Sequence, residues 1–185
     1  MKYLIANTDY DWFHYLRNLN PVPVIVNFWR PDGKTDFAAI ETGSPFLFRL
    51  GAPIQKVAGI GFFLCYLRIP PVLAWNNFKQ KNGASSLEVF LNNINSKRAA
   101  DNANSNIGVR ILANPIFFKE EHWLQQPENW VHGIQGVKKY STENPIGENY
   151  CHQIRNLLNL PEYSNRLTGV YANKEYIDWL VGGLL

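Results

Sequence analysis

Apolar positions along this chain alternate, or run in short blocks, more often than they recur at helical spacing. Residues 2–7, KYLIAN, alternate weakly and predict an opening strand. Residues 21–29, PVPVIVNFW, are rich in β-branched side chains and end on the turn signal RPDG, and residues 46–50, FLFRL, alternate again. Residues 56–69, KVAGIGFFLCYLRI, read as one long strand ended by Pro70 and Pro71. The glycines inside that strand predict a bulge or a close backbone approach. Another strand is expected over 107–118, IGVRILANPIFF, broken at Pro115.

Helical spacing is confined to four stretches. Trp12, Tyr15, Leu16 and Leu19 share a face over 9–19, with Asp9 or Thr8 available as a cap. A short helix is expected over 71–78, with Pro71 in its first turn. Leu87, Phe90, Leu91 and Ile94 form a stripe over 86–95, capped by Ser85 or Ser86. Tyr150, Ile154, Leu157 and Leu158 do the same over 147–160, and Pro161 closes that helix. The polar run NSKRAADNANSN reads as a loop, and the segment from KEEHW to GVKKYS as irregular. Without regular βαβ alternation or an internal repeat, the order of elements predicts an α+β fold. A strongly curved, mainly antiparallel sheet or partial β-barrel would carry helices on its outside. Residues 1–160 form the expected domain, and 161–185 change character, as a linker or the start of a further module would.

Composition agrees with a packed domain: 46% of residues are hydrophobic and 14% aromatic, far from the profile of a disordered chain. Cys65 and Cys151 fit no zinc or CxxC spacing and read as free thiols in a reducing compartment. The N-terminus lacks the apolar core of a signal peptide. The longest apolar stretch, residues 57–67, is well short of the roughly 20 residues that span a bilayer. A soluble, cytoplasmic protein with no membrane partner is expected. The net charge of +3 is small but uneven: residues 1–100 carry 11 Lys/Arg against 6 Asp/Glu, and 101–185 carry 7 against 9. That asymmetry allows one basic face and hints at a polyanionic partner.

Candidate chemistry narrows further by what is missing. His14, His122, His132 and His152 are scattered and no GxSxG, Walker or GxGxxG motif occurs, so no catalytic residue, metal or cofactor is expected. Glu120-Glu121 beside His122 reads as a solvated turn. What remains are polar–aromatic clusters at the ends of predicted elements: NFWRP, AWNNF, KNGASS and GVKKYS. Indole plates, amides and cations together are what a flat heterocycle with flanking phosphates requires. Each tryptophan has an equally simple reading as core.

The ordered motifs VNFWRPDG, FAAIETGSPFLFRLGAPIQKVAGIGFF, PPVLAWNNFKQKNGASS and IGVRILANPIFFKEEHWLQQPENWVHGIQGVKKYS resemble the N-terminal domain of bacterial HNH restriction endonucleases over about residues 20–160. That domain is similar to the PUA superfamily, which includes the SRA, EVE, YTH and ASCH modules. The resemblance implies a module that binds double-stranded DNA carrying modified bases and flips a base, with 5-methyl- or 5-hydroxymethylcytosine the leading candidates, into an aromatic pocket. It implies Trp29, Trp75 and Tyr140 as pocket walls, Asn27, Asn76 and Asn82 as readers of the base edge, and Gly83 as a point of close backbone approach. Arg30, Lys34, Lys79, Lys81 and Lys139 would hold phosphates. No HNH motif occurs in the 185 residues, so the nuclease, and any homodimer formed through it, would lie outside them. An RNA-binding module of the same superfamily, or a protein-interaction domain whose aromatics are merely core, remain the alternatives.

Overall fold

Among the described residues, which are 1–32, 40–98, 106–131 and 136–165 of a computed structural model, seven strands form one sheet. The strands are β1 (Lys2–Thr8), β2 (Ile25–Arg30), β3 (Pro45–Leu50), β4 (Lys56–Ile69), β5 (Ile107–Phe117), β6 (Leu124–Gln125) and β7 (Val137–Ser141). Their order is β2-β5-β4-β3-β1-β7, with β6 paired to the start of β4. β1 and β3 are parallel and every other pairing is antiparallel. The fold is α+β with a curved, open sheet, as the pattern of elements predicts.

Five helices pack on the sheet: α1 (Tyr10–Arg17), α2 (Pro71–Phe78), α3 (Leu87–Asn95), α4 (Pro145–Leu158) and α5 (Pro161–Ser164). Their starts are set locally. Asp9 accepts the Trp12 N–H at 3.1 Å, Ser86 accepts that of Val89 at 3.2 Å, and Asn144 accepts that of Gly147 at 2.8 Å. Period-two alternation then sends side chains to opposite sides of the sheet. Leu4, Ala6, Val26, Phe28, Phe46, Phe48 and Leu112 meet Trp12, Phe13 and Leu16 of α1. Tyr3, Ile5 and Leu47 face Tyr150, Ile154 and Leu158 of α4. Ile25, Val109 and Ile111 face Phe78 of α2 and Phe90 and Ile94 of α3.

The curvature has visible causes. β4 serves both β3 and β5, and its register with β5 slips between Ile60 and Phe62 and again between Phe63 and Cys65. A methyl group added to Gly59 would lie 2.7 Å from the Ile116 carbonyl and 2.9 Å from the Phe48 ring, so the sheet closes tightly only because that position is bare. Pro115 does not break β5, contrary to expectation. It sits in the bulge between the pairs Ala113–Phe62 and Ile116–Ile60, where no ladder hydrogen bond is demanded of it. The segment read as irregular contains β6 and β7. β7 is a short edge strand whose adjacent Lys138 and Lys139 hide its alternation. Pro161 opens α5 rather than merely closing α4.

Candidate functional site

β2 and β7 end the path of strands and do not pair with each other among the described residues, so the sheet stops short of a closed barrel. The two ends nevertheless approach: a methyl group added to Gly136, just before β7, would lie 3.6 Å from Arg30 Nη1 at the end of β2. A cleft of about 640 Å³ opens there, within the range of pockets that hold small ligands. It is lined by the ends of β1 (Asn7, Thr8) and β2 (Phe28, Trp29, Arg30), by Asp9 and Trp12 at the start of α1, by Lys97 and Arg98 after α3, and by Arg110 of β5. Pro31, Asp32, Gly136 and Val137 complete the rim.

Trp29 is half-buried and fixed in place. Its Nε1–H donates to the Asn82 carbonyl at 3.0 Å, and Phe90 meets it edge-on with centroids 5.6 Å apart. The Lys97 ammonium stands 5.3 Å from the indole centroid and bonds Asp9 Oδ2 at 2.5 Å. Burial pushes the Asp9 carboxyl upward, but bonds from Lys97 and the Trp12 N–H outweigh this and hold it below its ordinary range. Arg30 lies 3.6 Å from Asp32, and Arg98 Nε donates to the Pro31 carbonyl at 2.9 Å. Four cations and two carboxylates therefore line the cleft, leaving it electropositive among the described residues.

Of the residues expected to form a site, Trp29 and Arg30 lie together in this cleft. Asn27 and Asn82 also meet, at 2.8 Å, but each is 0% exposed. Asn82 donates to the carbonyls of Ala74 and Lys79, accepts from Asn27 and, through its backbone, from Trp29. The two amides thus clamp β2 to the turn after α2 instead of presenting an edge to a ligand. Gly83 serves the same clamp: at φ +76 it brings the backbone against the Trp12 indole, not against open space.

Trp75 also packs against Phe90, at 6.0 Å and 32°, and does not line the cleft that Trp29 lines. Asn76, Lys79 and Lys81 are exposed on α2 and the turn that follows it, and none lines the cleft. Tyr140 is 3% exposed because the β1–β7 register sets it opposite Tyr3, on which it stacks at 5.7 Å. Its hydroxyl donates to Asn129 Oδ1 at 2.9 Å, and burial pushes its phenol up to about 12. Lys139 is exposed in a separate depression with Lys2, Glu41 and Glu143. Lys34 lies outside the described residues. Sequence reasoning missed Asp9 as a site residue, the Lys97-Arg98 pair read as loop, and Arg110. Arg110 carried a signal, being a lone cation inside an apolar strand.

This fold is shared with solved structures of the ASCH protein from Zymomonas mobilis. The TM-score is 0.52 at 8% identity, over 85% of this chain and 94% of that one. A point mutant of the same protein aligns with a TM-score of 0.51 at 9% identity, over 86% of this chain and 99% of that one. At such identity the likeness is one of fold, and the fold is PUA-like. No protein-family profile and no curated protein matches the chain.

Proposed function

We propose that this chain is a nucleic-acid-binding module whose cleft takes one unstacked base, and that its ligand is duplex DNA carrying cytosine modified at position 5. The observation that carries this reading is the coincidence, in the gap of an unclosed barrel, of a fixed indole with Arg30, Lys97 and Arg98. Extruding a base from a duplex costs a few kcal/mol, and stacking offsets roughly 1–3 kcal/mol of it. Phosphate contacts at the rim must supply the remainder, and Lys97, already oriented by Asp9, is placed to make one. The PUA-like fold supports the reading, since its relatives include base-binding modules. In its finest form the chain is the recognition part of a modification-dependent HNH endonuclease, with residues 161–185 leading toward the nuclease.

Fluorescence anisotropy on duplexes that differ only in one cytosine (plain, 5-methyl, 5-hydroxymethyl or glucosylated) tests it, with an N6-methyladenine duplex and a single-stranded RNA of the same sequence alongside. The reading expects a modified duplex to bind best, and Trp29→Ala to erase that preference. Tighter binding of the RNA would transfer the cleft to RNA, whose bases are unstacked at no extrusion cost. No nucleic-acid affinity at low salt would refute it.

A further inference from the structure

Thr8 is the last residue of β1, and alternation along the strand fixes which way its side chain turns. Leu4 and Ala6, four and two residues earlier, pack with Trp12 and Phe28. Those two rings also line the cleft, so the face of β1 that carries Leu4, Ala6 and Thr8 is the one the cleft opens onto. Thr8 lines the cleft as well and is 5% exposed, whereas the side chains of Arg30, Lys97 and Asp32 are 30%, 39% and 45% exposed. Those three charged groups stand toward the mouth, and the Thr8 hydroxyl lies deeper.

One bond decides what that hydroxyl can offer a ligand. Its Oγ1 lies 3.0 Å from the Ala6 carbonyl oxygen. A carbonyl only accepts, so the hydroxyl donates, and its single proton is committed within the strand. What Oγ1 has left is its lone pairs, which makes Thr8 a neutral acceptor held in fixed orientation. Asp9 is already engaged, Oδ1 by the Trp12 N–H and Oδ2 by Lys97, and the cations of the cleft are donors only. We infer that Thr8 reads the edge of the inserted base, accepting an N–H through Oγ1. This inference rests on the base-binding reading and deepens it, because it assigns the edge reader that the buried Asn27–Asn82 pair does not supply. Cations near the mouth suit phosphates, and a neutral acceptor below them suits an amino group. In a cytosine modified at position 5 the group accepted is the 4-amino N–H, next to the modification. A ring N–H shares that chemistry and is the other source of the bond.

The test uses the full chain and duplexes of one sequence, with the test base opposite an abasic site so that no base pair has to be broken. One pair compares 5-methylcytosine with 5-methylpyrimidin-2-one, which lacks only the 4-amino group. A second compares thymine with N3-methylthymine, in which a methyl replaces the ring N–H proton. The N–H-bearing member of one pair is expected to bind roughly 10- to 100-fold tighter, because its absence leaves a buried acceptor unpaired. Thr8→Val, of nearly the same shape, should collapse that ratio toward one, and the pair in which it does so identifies the N–H. Thr8→Ala gives the same readout if the valine variant does not fold, and Thr8→Ser, which keeps the hydroxyl, should retain the ratio. Equal affinities within both pairs, a ratio untouched by Thr8→Val or Thr8→Ala, or its loss in Thr8→Ser would overturn Thr8 as the edge reader while leaving the base cleft standing. Absence of binding to every duplex would overturn the base cleft itself.

Discussion

Gly83 and Gly43 both lie in the left-handed region, at φ +76 and +87, but their surroundings differ. A methyl group at Gly43 meets nothing within 4 Å, whereas at Gly83 it would lie 2.1 Å from Trp12 Cδ1. Gly43→Ala therefore carries only the left-handed penalty, about 1–2 kcal/mol. Gly83→Ala carries that penalty and must also displace an indole that is 5% exposed. Trp12 cannot yield easily. Its Nε1–H donates to the Asn27 carbonyl at 3.0 Å, and Phe28 and Phe48 meet its ring at 5.2 and 5.5 Å. Overpacking of this kind adds roughly 1–3 kcal/mol, for a total of roughly 2–5 kcal/mol. Equilibrium urea unfolding of the two variants measures the difference directly, provided the m-values agree. Losses equal to within about 0.5 kcal/mol would refute the claim that Gly83 is bare because of Trp12 and not merely because of its φ.

Asn82→Ala should cost roughly 2–4 kcal/mol of stability, since it strips partners from buried Asn27 and from two carbonyls; Asn76→Ala, on the exposed side of α2, should stay within about 0.5 kcal/mol. Asp9 is held below its ordinary value of 3.8, so its bond to Lys97 stabilises the fold above that pH and is lost as pH falls through the folded value. Wild type should accordingly exceed Lys97→Met by about 0.5–1 kcal/mol near neutrality, and the gap should close in acid, as thermal melts across a pH series would show. Arg98→Ala should reduce the salt dependence of DNA binding by about one phosphate contact. Lys81→Ala should do so only if the duplex extends past the cleft to the turn after α2, so an unchanged slope removes Lys81 from the phosphate contacts.

The elements of this protein were largely legible from its residues, because what defines them is local. Alternation in KYLIAN and FLFRL, the helical stripe Leu87–Phe90–Leu91–Ile94, and caps such as Asp9 and Ser86 act within a few residues of themselves. The strand end that carries Trp29 and Arg30 was legible too, since a turn signal marks it. Tertiary structure decided which polar groups face the cleft and which face one another. Asn27 and Asn82 are 55 residues apart and look identical in sequence to exposed amides, yet pairing buries both. Tyr140 was indistinguishable from a pocket wall until antiparallel pairing set it against Tyr3. The cleft itself exists only because the sheet curls until its two end strands nearly meet, drawing Asn7, Arg30, Lys97, Arg110 and Gly136 to one opening. Periodicity records the side of an element on which a residue lies, but strand register and curvature determine what stands opposite it.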